Sequence, residues 1–347
     1  MIVRAPNRGT AVSLSAAVNP DLRDPEWRRV LIQLTRREML AGLGATAIIA
    51  SGQRRSRAQA NDATIEYAFA DFTARLPRDP QRVVVLESRT GLDFALAADY
   101  PIIAALRDPR SPLDALLDPA VAALATSELD PDIEELLSYQ PDLLVMGRGW
   151  WDYYQESDLL NVGDVPVLAV DDRDTANWRN LFTAQLALLE RDDEAATAIA
   201  AYEATLANAR EKIGNRMDDK TAAVVVLTET NWGIHWPDTL PVVLAQELGL
   251  DVITSSRAES ATELEMFSPE ELGRLQDIDL LIVQNLSTMP LAGLDLWKAL
   301  PAVAAGHVIE HPFWANGGFA VTAGLYVDYL GDEISARLPA AATPVPA

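Results

Sequence analysis

The chain has 347 residues and a net charge of −23, from 28 basic and 51 acidic side chains, and it contains no cysteine. Such an acidic chain is a poor partner for nucleic acid or for an anionic membrane surface, because both are bound through lysine and arginine. The absence of cysteine excludes disulfides, thiolate metal sites, a cysteine nucleophile and a lipid-modified cysteine anchor. Apolar residues make up 49% of the chain, which at this length predicts roughly two globular domains.

Residues 1–60 differ in charge from the rest of the chain. They hold ten arginines and four acids, so they carry +6 and leave −29 for the remainder. The paired Arg36 and Arg37 are followed by an apolar stretch of 12 residues, Met39–Ala50. This stretch is too short to span a bilayer, for which about 20 helical residues are needed. Ala58-Gln59-Ala60 then supplies the small-x-small pattern of a cleavage site.

These features predict a twin-arginine export signal within residues 1–60, cleaved before Asn61, and a mature protein in the periplasm. A basic arm that carries an apolar run by chance is the alternative. The first 30 residues or so exceed what such a signal needs, which suggests a start codon assigned too far upstream.

The remainder alternates short apolar runs with helical patterns. Runs rich in β-branched residues predict buried strands, and apolar spacings of three and four predict helices. In the first half the predicted strands are 82–87, 101–104, 142–146 and 165–170, with helices at 92–98 and 132–139. In the second half the predicted strands are 222–228, 251–253 and 279–283, with helices at 240–248 and 269–272. This alternation predicts an α/β fold of two lobes with mainly parallel sheets.

A long helical stretch, 175–217, lies between the halves and is interrupted near Asp192. Its second part keeps apolar residues on one face, so we predict a single interlobe helix over 193–217, about 36 Å long. The predicted organisation is therefore an N-terminal lobe over 61–192, this helix, and a C-terminal lobe over 218–347. Two lobes of one topology place the carboxyl ends of their strands on either side of a ligand cleft.

Four stretches resemble the iron-siderophore substrate-binding proteins of ABC importers. They are 82–96, Asp132–Val145, Phe267–Val283, and Trp297–Ile309 followed by Trp314. The resemblance covers about residues 80–335 and implies two Rossmann-like lobes joined by one long helix, with the cleft between them. It also implies a non-enzymatic receptor that captures a ferric-siderophore-like small molecule and delivers it to an ABC permease in the membrane. Iron would be held only within that complex, and we expect a monomer without a cofactor.

Two positions depart from the resembled pattern. Ala98-Asp99-Tyr100 stands where the family usually has Leu-Gly. Ser127-Glu128-Leu129 stands where ferric-hydroxamate binders of the family often place an arginine. Together with the charge of −29, the second departure favours a neutral or cationic ferric complex over a strongly anionic one. A haem- or corrinoid-binding receptor is an alternative interpretation, and an exported carboxylate-dependent enzyme is another.

Loops that follow strands of the first lobe are the predicted ligand contacts on that side of the cleft. Arg89 follows the first strand. A second group follows the strand at 142–146 and combines rings suited to stacking with an arginine suited to anionic oxygens: Arg148, Trp150, Trp151 and Tyr153. Packing between lobe and loop is the alternative for this group.

The equivalent loop of the second lobe adds two tryptophans and a histidine: Trp232, Trp236 and His235. His235 either contacts the ligand or iron, or is a cap or a satisfied surface histidine, since one histidine alone is a poor iron site. Arg257 and Trp314 complete the predicted ligand contacts. The alternatives for these two are a solvated surface arginine and a cap on the core.

Glu134 and Glu270 occupy equivalent helix starts in the two lobes. The resemblance implies that one acid of each lobe docks onto arginines of the permease, and we assign that role to these two residues. Glu271 is a rival for Glu270, because the second lobe has one extra residue between the matching pieces. The alternative is that a carboxylate in the first turn of a helix is favoured by the helix dipole alone.

His307-Val-Ile-Glu310-His311 has the letters of the zinc-hydrolase motif H-x-x-E-H. That motif needs a helix, which brings both imidazoles to one face. The β-branched Val308 and Ile309 instead predict a strand, which would separate the two histidines by about 13 Å. We therefore predict no zinc site here, and no serine-hydrolase elbow or phosphate-binding loop motif supports an enzyme.

Overall fold

The computed structural model describes residues 63–228, 231–255, 264–287, 291 and 294–340. The predicted export signal at 1–60 and Arg257 lie outside these residues. The described chain forms two α/β lobes, each built on its own sheet. This confirms the predicted fold class.

An antiparallel hairpin precedes the first lobe's main sheet. It consists of β1 (Thr64–Phe69) and β2 (Phe72–Pro77). Ile65 and Tyr67 alternate with exposed neighbours and reach the core, and the Tyr67 hydroxyl donates to Gln185 Oε1 at 2.9 Å. This hairpin is not predicted from the sequence, since its period-two pattern is short.

The strands of the first lobe are β3 (Val83–Val85), β4 (Ile102–Ala105), β5 (Ala122–Ala123), β6 (Leu143–Gly147) and β7 (Val167–Val170). The helices between them are α1 (Thr90–Ala97), α2 (Ile133–Ser138) and α3 (Arg148–Ser157). All five strands are parallel, in the order β5-β4-β3-β6-β7. Helices cover both faces of such a sheet, which explains the continuous apolar runs that predicted its strands.

Two helices follow β7, namely α4 (Trp178–Leu188) and α5 (Asp192–Ile213). The break between them contains Glu190 at φ 59°. α5 is the predicted interlobe helix, 22 residues long. It stops at Ile213, before the predicted end, because Gly214 adopts φ 54° and ends the helical backbone.

The strands of the second lobe are β8 (Thr221–Leu227), β9 (Trp232–His235), β10 (Asp251–Val252), β11 (Leu264–Phe267), β12 (Leu280–Asn285) and β13 (Val308–Glu310). Its short helices are α6 (Leu240–Glu247), α7 (Asp295–Lys298) and α8 (Pro301–Ala304). The sheet order is β11-β9-β8-β12-β13, with β10 also pairing with β8. The pairs β8–β10, β8–β12 and β12–β13 are parallel, whereas β9 is antiparallel to both β8 and β11.

The last described helix, α9 (Ala320–Arg337), packs along α5. Gly331 permits the close approach, since a Cβ there would lie 3.0 Å from Ala209 Cβ. One apolar core joins these two helices to both sheets and includes Val85 of β3 and Ile282 of β12. Each fully buried side chain of this kind contributes roughly 1.5–3 kcal/mol. Shared packing therefore ties the lobes together, in addition to the interlobe helix.

Candidate functional site

The two lobes meet at the carboxyl ends of β3 and β7. Arg89, which follows β3, places its guanidinium carbon 4.9 Å from the centre of the Phe313 ring of the second lobe. A Cβ added at Gly317 of the second lobe would lie 3.1 Å from Thr90 Oγ1 and 3.4 Å from Asp172 Oδ2. These contacts locate the interlobe cleft at the strand ends.

Glu87 holds the loop that carries Arg89. Its buried carboxylate accepts hydrogen bonds from the backbone N–H groups of Arg89 at 3.0 Å, of Thr90 at 2.9 Å and of Gly91. These donors at the start of α1 have no partner within the helix, and a carboxylate both satisfies them and complements the helix dipole. Arg89 Nε lies 3.5 Å from the same carboxylate, so the arginine is partly neutralised where it faces the second lobe.

Two further carboxylates lie beside this loop. Glu128 Oε1 accepts from the backbone N–H and the hydroxyl of Ser88, each at 3.2 Å, and the Thr90 hydroxyl donates to Asp172 Oδ2. Burial raises the pKa of Glu128 to about 7, with the charge of Arg89 acting in the opposite direction. Burial also raises the pKa of Asp172 to about 6. Arg89 is predicted from the sequence as a contact here, whereas neither carboxylate is predicted.

The predicted aromatic loop after β6 is instead helix α3, which begins directly at Arg148. The predicted loop is wrong. Trp150, Tyr153 and Tyr154 are three and four residues apart, so their rings lie on one face of α3 and contact one another. Trp150 is 3% exposed, with its ring centre 5.9 Å from that of Tyr153. Trp151 is half-buried and meets Phe72 edge-on at 5.7 Å. As ligand contacts, Trp150, Trp151 and Tyr153 stay predictions.

Arg148 and Arg173 are both engaged in ion pairs. Arg148 donates to the two carboxylate oxygens of Asp71 at 2.8 and 3.1 Å and to Asp152 at 2.8 Å. Arg173 contacts the same Asp71 at 3.0 Å and also pairs with Asp171. Asp71 comes from the turn between β1 and β2, so the hairpin neutralises two arginines at the ends of β6 and β7. To bind an anionic ligand, Arg148 would have to break these pairs.

Trp232 and His235 lie on β9, and the prediction of a loop at 232–235 is wrong as well. The segment pairs antiparallel with β8, so successive side chains face opposite sides of the sheet. Trp232 is fully buried, with its ring stacked on that of Trp297 at 5.0 Å. Trp236, just after β9, is 5% exposed. As ligand contacts, both tryptophans stay predictions.

His235 and His311 form a buried polar group in the second lobe, with ring centres 6.3 Å apart. His311 Nδ1 lies 2.8 Å from the Tyr326 hydroxyl, and its Nε2 lies 2.8 Å from Asn316 Oδ1. Asn316 Oδ1 also accepts from Gln284 Nε2 at 3.1 Å. In the proton arrangement that fits these contacts, His311 Nε2–H donates to Asn316 and the tyrosine hydroxyl donates to Nδ1. Burial lowers the pKa of His311 to about 4.

His235 lacks the partners that His311 has. It is 8% exposed, and neither ring nitrogen has a hydrogen-bond partner in the described part of the chain. Burial, and then the nearby His311, lower its pKa to about 3, so the imidazole is neutral. A buried polar group without a partner costs about 1–3 kcal/mol. We therefore expect a partner from outside the described chain to meet this imidazole.

Trp314 lies in the short 3-10 helix Phe313–Asn316, which also presents Phe313 to Arg89. It is half-buried, and its ring meets those of Tyr326 and Tyr329 edge-on at 6.2 and 6.5 Å. This helix therefore places Trp314 in the same interlobe region as Arg89. Asn316, at its end, links the region to His311 and hence to His235.

The two predicted docking acids are both exposed. Glu134 lies in the first turn of α2, and Glu270 lies in the first turn of the 3-10 helix Pro269–Leu275. The neighbouring Glu271 accepts hydrogen bonds from the backbone N–H and the hydroxyl of Ser268, each at 3.0 Å, which lowers its pKa. Glu271 is therefore engaged in a capping box, which favours Glu270 as the docking acid.

The described residues contain no group of three or more His, Asp or Glu side chains that could hold a metal ion. The strand predicted between His307 and His311 is confirmed as β13, and His307 Nδ1 lies 3.2 Å from the carbonyl oxygen of Asp279. None of the helices in the described part of the chain is both long and apolar enough to cross a membrane.

Two α/β lobes with a long interlobe helix, whose strand ends face each other across a cleft, define a two-lobed solute-binding protein. The sequence profile of the periplasmic binding protein family matches residues 83–314, and the chain belongs to that family. The iron-uptake system-binding protein of Bacillus subtilis (strain 168) is 25% identical over 270 residues, which cover 74% of this chain and 82% of that protein.

Solved structures share the fold. The siderophore periplasmic binding protein from the fuscachelin gene cluster of Thermobifida fusca is 19% identical with a TM-score of 0.54, covering 75% of this chain and 98% of that one. The Fe3+–Desferal-bound siderophore-binding protein of Vibrio cholerae is 16% identical with a TM-score of 0.59, covering 75% of this chain and 99% of that one.

Proposed function

We propose that this protein is an exported, non-enzymatic receptor that binds a ferric-siderophore-like ligand between its lobes and delivers it to an ABC permease. The observation that carries the proposal is the cleft, where Arg89 and Thr90 of one lobe meet Phe313–Gly317 of the other. Family membership and the iron-uptake and siderophore roles named for its relatives support it. Iron is cargo that arrives inside its chelate, and the proposal requires no resident cofactor.

The proposed ligand contacts are Arg89, Trp314 and His235. Arg89 keeps further N–H donors beyond the Nε that faces Glu87. Trp314 offers a half-buried ring at the cleft, and aromatic rings stack on flat, apolar parts of ligands. The unpartnered imidazole of His235 can both donate and accept one hydrogen bond.

Delivery is assigned to Glu134 and Glu270, one exposed acid on each lobe. Charges at the rim of an interface steer encounter and fix register more than they add affinity. Export is assigned to the paired Arg36 and Arg37, which lie outside the described residues. Both assignments rest on the sequence patterns that suggested them.

Titration with ferric siderophores, followed by tryptophan fluorescence, tests the proposed function. The panel contains ferric trihydroxamates, ferric triscatecholates and haem, because these differ in charge and chelating groups. We expect saturable quenching by at least one ferric siderophore, with the ligand in one-to-one proportion. A chain that binds none of these chelates contradicts the proposal, and a Soret band that grows in with haem alone would assign the protein to haem instead.

A further inference from the structure

The strand ends of the first lobe carry more carboxylates than cations. Three arginines stand there, after β3, β6 and β7: Arg89, Arg148 and Arg173. Six carboxylates lie beside them in the contacts described above: Glu87, Glu128, Asp71, Asp152, Asp171 and Asp172. With every group ionised, three cations and six anions leave −3 on this wall of the cleft.

The arginines are already engaged within the chain. Arg148 is paired with two carboxylates and Arg173 with two, and they share Asp71. Arg89 lies 3.5 Å from Glu87. An anionic ligand that bound Arg148 or Arg173 would have to displace one of these carboxylates, which leaves a partly buried charge without its partner and is costly.

Glu128 and Asp172 differ from the other carboxylates. Neither forms an ion pair within 4 Å in the described chain, and the groups that donate to them are neutral: Ser88 for Glu128 and Thr90 for Asp172. Asp172 lies against Gly317, where the second lobe approaches. A carboxylate in that position attracts a cation strongly, because the attraction between charges grows as water is excluded.

An independent observation on the second lobe also points to a ligand. His235 is more than nine-tenths buried with both ring nitrogens unpartnered, 6.3 Å from His311. His311 is bonded to Asn316, whose neighbour Gly317 faces Asp172. The contacts from His235 through His311 and Asn316 therefore connect the imidazole to Gly317 at the cleft. Being neutral, the imidazole adds no positive charge there, and it can accept a hydrogen bond from an N–H of a ligand.

We infer that the cleft selects ferric complexes that carry a positive charge. Glu128 and Asp172 receive a cationic amine of the ligand, and His235 accepts a hydrogen bond from the ligand. The inference rests on the proposed function and specifies its substrate class. Asp71 contributes to this preference, because its ion pairs with Arg148 and Arg173 neutralise both arginines.

A charge series on one chelate tests this directly. The ferric complex of desferrioxamine B carries a pendant ammonium, its N-acetyl derivative is neutral there, and its N-succinyl derivative is anionic, while the iron coordination is the same in all three. Affinities are measured by calorimetry at a pH of about 8.5, above the raised pKa values of Glu128 and Asp172. We expect the cationic complex to bind about tenfold or more tightly than the neutral one, and the anionic complex to bind most weakly.

The paired variant Glu128→Gln/Asp172→Asn removes both charges but keeps oxygens that accept from Ser88 and Thr90. We expect it to lose the preference for the cationic complex while its affinity for the neutral complex changes less than about threefold. The matched control Glu211→Gln/Asp218→Asn removes two exposed charges elsewhere and should keep the preference.

Two results would overturn the inference. One is that the anionic complex binds as tightly as the cationic complex or more tightly. If Arg257→Ala then abolished the preference for the anionic complex, that preference would be due to Arg257, which lies outside the described residues. The other is failure of all three complexes to bind. The proposed function would survive the second result if a ferric siderophore of another chelating class bound in the fluorescence titration.

Discussion

Trp314 and Trp150 share a predicted role in ligand stacking but have different surroundings. Trp314 is half-buried at the cleft, whereas Trp150 is 3% exposed in the core of the first lobe. Trp314→Ala should weaken binding of a ferric siderophore by about tenfold with little loss of stability. Trp150→Ala should instead lower the free energy of unfolding by about 3–5 kcal/mol, as removal of a large core side chain does. Calorimetric titration and urea unfolding of both variants measure this, and an affinity loss confined to Trp150→Ala would return the site to α3.

His235 and His311 should make the protein less stable in acid. A histidine of the unfolded chain takes up a proton below about pH 6.5, whereas these buried imidazoles, with pKa values of about 3 and about 4, stay neutral. The unfolded chain therefore binds more protons in this interval, and the free energy of unfolding falls as the pH is lowered. The fall is at most about 1.4 kcal/mol per pH unit for each histidine.

His235→Phe removes one of these two contributions. Its free energy of unfolding in urea should decline less steeply than that of the wild type between about pH 6.5 and about pH 4.5. The raised pKa values of Glu128 and Asp172 act in the opposite direction, but they are common to both proteins. Parallel curves for His235→Phe and the wild type would show that His235 is not held neutral by burial.

At the scale of elements, the sequence predicts best where a strand is buried on both faces. β3, β6, β8 and β12 are continuous apolar runs, so their positions follow from composition alone. α3 and β9 mix aromatic and polar residues, and their structure depends on which distant segment covers them. Trp232, for example, is placed by its stacking on Trp297, a contact that no local pattern reveals.

The candidate site shows the same limit. Arg89 is predicted as a contact because it lies in the loop that follows a strand. The pair Arg148–Asp71 joins residues 77 positions apart, and the partners of Asp172 come from another loop and the other lobe. The one available signal for Asp172 was the Asp171-Asp172 pair just after the strand predicted at 165–170. Charge neutralisation at the cleft could therefore not be predicted from the sequence.

The starts of α2 and of the 3-10 helix Pro269–Leu275 carry the proposed docking acids. Glu134→Gln with Glu270→Gln should reduce cellular uptake of iron-labelled siderophore while leaving ligand affinity unchanged, because rim charges govern encounter. Glu271→Gln is the matched control, since glutamine keeps an oxygen that accepts from Ser268. Full uptake by the double variant, or an equal loss in Glu271→Gln, would remove Glu270 from the docking surface.

At the scale of the whole molecule, export precedes every other proposed step. Replacement of Arg36 and Arg37 by lysine should retain the precursor in the cytoplasm, because twin-arginine export requires the arginine pair. Cell fractionation and immunoblotting measure this, with the wild-type chain as the reference for a mature form that begins at Asn61. Normal export of the variant would contradict the proposed signal.

The shared core of α5, α9 and both sheets limits how far the lobes can move, so we expect ligand capture through a small closure around the cleft. The central claim is that this cleft holds iron inside a siderophore. Native mass spectrometry of the purified protein, after incubation with culture medium of iron-starved cells of its source, tests it most directly. We predict a one-to-one complex whose ligand mass carries the isotope pattern of iron and which persists at low collision energy. A haem adduct, or a ligand without iron, would contradict it.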